Sequence, residues 1–280
     1  MRSALESAKI AFVKYSGCGN DFIIVESPPC SMNIGQFAAA LCSRKQGIGA
    51  DGLIVLSPAV QGDFKIAFFN ADGSEAEMCG NGARAAVHYF HAKNPIKYSY
   101  TFETKERLLQ AEIHENAVAI SMGDVLAIEL KKELMIDKAK LPLVSMNTGV
   151  PHALLFTNDL ETIDIEAIGK KVRHHPRFAP AGTNFSAVKM TEEEVLIRTY
   201  ERGVEAETLA CGTGATAAAI AAALLFSAAP PVKVKVRSGD TLTIDFSLEA
   251  GKPSGVKLSG PCHEVFRGEI ALQDIRRFQK

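Results

Sequence analysis

Cys79-Gly80-Asn81-Gly82-Ala83 and Cys211-Gly212-Thr213-Gly214-Ala215 are near copies of one another, set about half a chain apart. Each places a cysteine ahead of two glycines and leads into an alanine-rich stretch. Those stretches predict helices over 81–91 and 212–226. A thiol at a helix start is where a thiolate forms most readily. The match continues upstream. Glu75-Ala76-Glu77 aligns with Glu205-Ala206-Glu207, which puts Asn70-Ala71-Asp72-Gly73 opposite Tyr200-Glu201-Arg202-Gly203, with two extra residues before the second cysteine. A duplicated α+β lobe is the expected architecture. One thiol from each lobe points to a site where the lobes join.

The flanking pattern repeats too. Apolar runs at 9–13 and 22–25 around Ser16-Gly17-Cys18-Gly19-Asn20 predict a hairpin. A helix follows over 33–44, capped by Asn33 or Ser31, and then strands at 53–56 and 64–69. Further strands are expected at 98–104, 108–113 and 117–122. Residues 124–145 are charged and carry Pro142, which reads as a connection between lobes. The second half then gives a strand at 153–156, a helix at 165–174 and strands at 185–190 and 195–200. After the second cysteine helix come strands at 232–237, 241–246, 255–258 and 265–272.

Composition narrows the function classes. The chain has 280 residues, a length that suits two ordinary domains, and 47% hydrophobic with 22% charged residues is typical of a globular protein. A net charge of -1 gives no electrostatic case for nucleic acid or an anionic membrane. Residues 1–9 lack a signal-peptide pattern, and the most apolar run, 214–229, is shorter than the roughly 20 residues that span a bilayer. The six cysteines form no C-x-x-C pair, which argues against a structural zinc site and for a cytoplasmic protein with reduced thiols.

The glycine turns let a ligand approach the backbone, and the first amides of a helix have no internal partner. Two such turns offer two sets of anion donors beside two sulfurs. That suits inversion of a carbon bearing hydrogen, with a thiolate on one face and a thiol on the other exchanging roles. The helix ends favour the thiolate and stabilise charge growing on a carboxylate as a carbanion forms. Single buried cysteines are common as small apolar residues; two in matching Cys-Gly-x-Gly-Ala contexts call for a chemical reading. The same glycines also fit a loose dinucleotide pattern, but Lys233 and Lys235 stand where that motif carries an acid.

These residues resemble the diaminopimelate epimerase family, from Lys9 to about Leu272. The matching segments are Gly19-Asn20-Asp21-Phe22, Gly47-Ile48-Gly49-Ala50-Asp51-Gly52, Phe69-Asn70-Ala71-Asp72-Gly73-Ser74-Glu75 and Met78-Cys79-Gly80-Asn81-Gly82-Ala83-Arg84. In the second half they are Pro151-His152, Gly182-Thr183-Asn184, Tyr200-Glu201-Arg202-Gly203 and Ala210-Cys211-Gly212-Thr213-Gly214-Ala215. The resemblance implies two pseudo-symmetric α+β lobes, each a mostly antiparallel sheet wrapped around a central helix. They would comprise 1–124 with 263–280, and 125–262. It implies a cofactor-independent, metal-free isomerase interconverting LL- and meso-diaminopimelate in lysine and peptidoglycan biosynthesis. Cys79 and Cys211 would be the acid/base pair. The backbone at Gly80-Asn81 and Gly212-Thr213 would hold the reacting carboxylate. Asn20, Asn70, Asn184 and Arg202 would bind the distal carboxylate end, Glu201 an ammonium, and His152 with Glu201 would tune the thiols. The expected partners are the small-molecule substrate and, as an option, a second copy in a homodimer; neither nucleic acid nor a membrane is expected.

Two positions depart from the family pattern. Many members have Gly-Asn-Pro-His where this chain has Gly149-Val150-Pro151-His152, and many carry Gln where it has Gly52. Both remove an amide from the expected pocket and leave the chemistry in place. The alternative is a proline, hydroxyproline or broad-specificity amino-acid racemase of the same fold. Those relatives typically carry His where this chain has Asn81.

Overall fold

A computed structural model describes residues 9–29, 32–76, 79–105, 107–114 and 117–277. Contacts divide the chain into two compact units, with breaks after Ile120 and after Gly260. The first comprises the described residues up to Ile120 and those from Pro261 onward; the second is Ser121–Gly260.

The first unit opens with β1 (Lys9–Gly17) and β2 (Asn20–Val25), an antiparallel hairpin. Its two turn residues, Cys18 and Gly19, both have positive φ, 53° and 83°, which matches the twist of a two-residue hairpin. Helix α1 (Ile34–Cys42) is capped by the Asn33 side chain, which accepts from the amides of Gly35 and Gln36; Ser31 lies outside the described residues. Strand β3 (Gly52–Ser57) runs parallel to β2, β4 (Phe64–Asn70) returns antiparallel to β3, and β5 (Glu75–Ala76) pairs back on β4. Helix α2 (Gly80–Lys93) follows. After it β6 (Ser99–Glu103) lies parallel to β4, and β7 (Leu108–His114) and β8 (Ala117–Ser121) continue antiparallel.

The second unit repeats this order. The region read as a connection, 124–145, is instead a long hairpin of β9 (Leu126–Ile136) and β10 (Ala139–Asn147). Its turn residues Asp137 and Lys138 have φ of 49° and 68°. Leu134 and Leu143 are buried, while Glu133 and Met135 beside Leu134 point outward, so the run looks charged although one face is apolar. Strand β11 (Pro151–Phe156) pairs with β10, and α3 (Ile165–Arg173) starts at Asp164, whose carboxylate caps Ala167. Strand β12 (Asn184–Met190) is parallel to β11, β13 (Val195–Glu201) antiparallel to β12, and β14 (Ala206–Thr208) returns along β13. After helix α4 (Gly212–Phe226), β15 (Val232–Lys235) lies parallel to β13, followed by antiparallel β16 (Thr241–Glu249) and β17 (Lys252–Pro261). The last strand, β18 (His263–Ala271), goes back to the first unit along the outer side of β1, and α5 (Leu272–Arg277) ends the described chain.

Each unit is therefore a mostly antiparallel sheet around one central helix. Helix α2 packs against β1, β2, β3, β4, β7 and β18, and α4 against β10, β11, β12, β13, β15 and β16. In α4 every residue from Gly214 to Ala223 is buried, as a helix enclosed on all sides requires. Small side chains allow the close approach. A Cβ on Gly82 would lie 2.9 Å from the Phe68 ring, and one on Gly212 would lie 2.8 Å from Leu258.

The duplication alignment shifts by one residue at the strand ends. β4 ends at Asn70 and β13 at Glu201, so the folded strands set Asn70 opposite Glu201 rather than Tyr200. The hairpin turns differ in length: Phe69 pairs with Glu75, whereas its counterpart Tyr200 pairs with Glu207. Glu77 and Met78, part of the compared segments, lie outside the described residues.

The β4–β5 turn depends on Gly73, which has φ of 87° and whose missing Cβ would collide with the Gly35 carbonyl at the start of α1. Gly73→Ala is expected to cost about 2 kcal/mol or more. Urea unfolding followed by circular dichroism would read this as a lowered midpoint; an unchanged midpoint would mean that the turn relaxes freely.

Candidate active site

Within each unit the expected residues gather at one end of the central strands. In the first unit Phe22 pairs with Gly52 and Gly52 with Asn70, so the starts of β2 and β3 lie beside the end of β4. In the second, His152 pairs with Asn184, and Phe185 with Tyr200, which brings the starts of β11 and β12 beside the end of β13. The cysteine helix begins at that same end in each unit.

Cys79 and Cys211 are the N-cap residues of α2 and α4, with extended backbone (φ -128° and -127°), and neither side chain caps its helix. The first intrahelical bonds are Ala83 N–H to Cys79 O (2.8 Å) and Ala215 N–H to Cys211 O (2.9 Å). The amides of residues 80–82 and 212–214 come before those bonds, so both helices present their first amides outward without a side-chain cap. Cys79 is half-buried and Cys211 buried.

Around Cys79 the polar side chains form one chain. Arg84 Nη2 donates to Asn81 Oδ1 (2.7 Å), Asn81 Nδ2 to Asn20 Oδ1 (2.7 Å), and Asn20 Nδ2 to Asp51 Oδ2 (3.0 Å). An arginine can only donate and a carboxylate only accept, so the orientation of both amides is determined. Asp51 and Asp21 bind Arg44, and Asp21 also pairs with buried Lys14 at 2.7 Å. Burial works against ionised Asp21, but hydrogen bonds from Arg44 and Lys14 outweigh it and hold its carboxyl well below the usual range. Asn70 Nδ2 donates to Ser74 Oγ at 2.9 Å, across its own turn.

Around Cys211 the network is mostly neutral. Cys211 Sγ lies 3.4 Å from Thr213 Oγ1, which is 2.9 Å from His152 Nε2, and Thr148 donates to the Thr213 carbonyl at 2.8 Å. Burial raises the Glu201 carboxyl above its ordinary value, and a hydrogen bond with Cys211 opposes that shift. His152 is buried, and among the described residues no hydrogen-bond partner reaches its Nδ1. Burial, with Arg202 adding to it, pushes the imidazole down to about 3, so it is neutral at physiological pH. Asn184 donates to Pro151 O (3.2 Å) and accepts from the Arg202 amide (2.7 Å). The Arg202 guanidinium donates to Ala181 O at 3.3 Å.

Sequence reasoning missed the supports: Arg84, Cys18, Asp51, Arg44, Thr148 and Thr213's hydroxyl. Arg84 carried a signal, being the one charged residue in the alanine-rich first half of α2. Among the described residues no group of three or more His, Cys, Asp or Glu side chains could hold a metal ion, and no helix is long and apolar enough to cross a membrane.

Because His152 binds its proton more weakly when folded, the stability it contributes is complete above the ordinary histidine value of about 6.5 and is lost as pH falls towards about 3. His152→Gln should flatten that part of the pH dependence, by at most about 5 kcal/mol over the window. Urea midpoints of both proteins across acid pH test this; parallel curves would rule it out.

The family profile for diaminopimelate epimerase matches residues 12–128 and 144–255. The diaminopimelate epimerase of Aquifex aeolicus (strain VF5) is 38% identical over 275 residues, covering 93% of this chain and 97% of its own. That of Methanocella arvoryzae is 36% identical over 94% of this chain and 97% of its own. Among solved structures, a phenazine biosynthesis protein of the PhzF family from Bacillus anthracis superposes with a TM-score of 0.71 at 14% identity, covering 94% of this chain and 99% of that one. A hydroxyproline epimerase from Agrobacterium vitis superposes at 0.68 and 14% identity, over 95% and 93%. At such identities the superpositions speak for the fold alone. The profile match and the relatives, over most of the chain, place this protein in the diaminopimelate epimerase family.

Proposed function

We propose that the chain is an isomerase that interconverts LL- and meso-diaminopimelate, with Cys79 and Cys211 as its acid/base pair. The observation that carries this is the pair of helices that begin at a cysteine without a side-chain cap. One sulfur, as thiolate, takes the α-proton; the other, as thiol, returns a proton to the opposite face. The electron pair left on carbon spreads onto the α-carboxylate, whose oxygens the amides at 80–82 and 212–214 are suited to hold. One turnover leaves the thiol and thiolate exchanged, so the reverse reaction uses the same groups. We assign the reaction no cofactor.

The substrate carries two carboxylates and two ammonium groups. We assign Arg202, Asn20, Asn70 and Asn184 to the distal carboxylate end and Glu201 to an ammonium. Asn20 and Asn184 each spend one amide hydrogen on the protein and keep one. Arg202 spends one guanidinium hydrogen on Ala181. The Asn81 side chain likewise donates once, to Asn20, and accepts from Arg84, and we assign its backbone amide to the reacting carboxylate. His152 reaches Cys211 through Thr213, and we assign it to orienting that hydroxyl. Gly52 has no room for the family's amide, since a Cβ there would lie 2.8 Å from the Phe69 carbonyl. We place the enzyme in the cytoplasm, where such thiols stay reduced, and infer a homodimer, which sedimentation would test.

In D2O the wild type should exchange the α-hydrogens of LL- and meso-diaminopimelate, seen by NMR, and leave L-proline untouched. Cys79→Ala and Cys211→Ala should each lose at least about a thousandfold in epimerisation; full activity in either overturns the mechanism. The rate should follow a bell-shaped pH curve, since one sulfur is ionised and the other protonated. A curve with a single inflection would argue for one titrating thiol.

A further inference from the structure

Arg84 is fully buried in the first half of α2, and among the described residues no hydrogen-bond partner reaches its Nε. Its contacts among the described residues are Asn81 Oδ1 at 2.7 Å, Cys18 Sγ at 3.2 Å and Gly80 O at 3.4 Å. Among the described residues no carboxylate forms an ion pair with it. A guanidinium keeps its charge in any environment, and a buried charge with no counter-charge is costly. The connected network makes the imbalance explicit. Lys14, Arg44 and Arg84 are cations, and Asp21 and Asp51 are the anions, so one positive charge is left over. The surplus is Arg84's, because Asp51 stands two amides away and is already paired with Arg44.

The other titratable groups on the surrounding elements do not cancel it. Cys262, ahead of β18, donates to the Arg84 carbonyl, and burial pushes its thiol up to about 12. Cys18, in the β1–β2 turn, accepts from the guanidinium and donates to Pro261 O at 3.7 Å. Tyr15 of β1 pairs with His88 further along α2 at 3.0 Å, and burial keeps that histidine low and neutral. What remains is the helix start itself, where the Gly80 carbonyl puts the guanidinium against the residue next to Cys79.

We propose that Arg84 is a positioning residue for Cys79, a buried permanent cation that stabilises the Cys79 thiolate and, through Asn81 and Gly80, fixes the first turn of α2. The charge adds to the helix's own N-terminal dipole and, unlike a surface charge, is not screened by salt. It rests on the reading of Cys79 as an acid/base thiol, but its test reads the thiol and needs no turnover, so failure of one is separable from failure of the other.

The experiment is the pH dependence of iodoacetamide labelling at Cys79, followed by peptide mass spectrometry in the wild type, Arg84→Lys and Arg84→Gln, with folding checked by circular dichroism. Both variants lose the guanidinium fork, and only one loses the charge. The wild-type inflection should fall below the ordinary thiol value of about 8.5. Arg84→Lys should stay close to it, and Arg84→Gln should rise by about one pH unit or more, a roughly tenfold slower labelling at neutral pH. A folded Arg84→Gln with the wild-type inflection, or equal shifts in both variants, overturns the proposal. If Arg84→Gln does not fold, wild-type labelling in molar salt decides. A low inflection that persists supports a buried source, and one that returns to the ordinary value assigns the effect to surface charge and overturns it.

Discussion

A helix that starts at a reactive thiol has to leave its first turn uncapped. Serine, threonine, aspartate or asparagine at that position would occupy one of the amides with its own oxygen, and its replacement costs a helix about 1 kcal/mol. Here the cap is a cysteine in both α2 and α4, while α1 and α3, which carry none of the proposed chemistry, are capped by Asn33 and Asp164. The contrast within one chain separates helices closed by a side-chain cap from the two whose first amides have none. Enclosure by the sheet offsets the missing cap: α4 buries ten successive residues and α2 buries seven from Asn81 to Val87.

The two cysteines are supported differently. Cys79 stands beside a charged network with a surplus cation, ordered by head-to-tail amide dipoles from Arg84 to Asp51. Cys211 sits among groups that avoid charge: a neutral histidine, two threonines and a carboxyl whose ionisation burial opposes. A repeated backbone has therefore been given two electrostatic surroundings. For two like side chains in the proposed acid/base roles, such asymmetry gives each a preferred state at rest.

Much of this was legible in the chain because the informative residues are local. Two cysteine-glycine turns, a Cys18-Gly19 hairpin and helices at 81–91 and 212–226 follow from spacing and turn chemistry, the first helix running slightly longer, over 80–93. The β9–β10 hairpin was not legible, because its turn is Asp137-Lys138 rather than a glycine pair and its outward face is charged. Nor could the sequence say which way an amide spends its hydrogen bonds. Asn20, Asn81 and Asn184 look alike in a motif, yet Asn20 and Asn81 link other side chains into one chain whereas Asn184 bonds backbone groups. Arg84 reads as a surface residue by type and is the most deeply enclosed charge among the described residues of the first unit.

The return of β18 to β1 also orders events during synthesis. The second unit is one continuous stretch, so all its strands have left the ribosome once β17 has. The first unit is made earlier but stays open along β1 until residues 263–271 emerge, well over a hundred residues after its own helix. Until then Phe12, which packs edge-on against Phe266, lacks its cover. The unit translated first is thus the one completed last, and the nascent chain carries an unpaired strand edge for most of its translation.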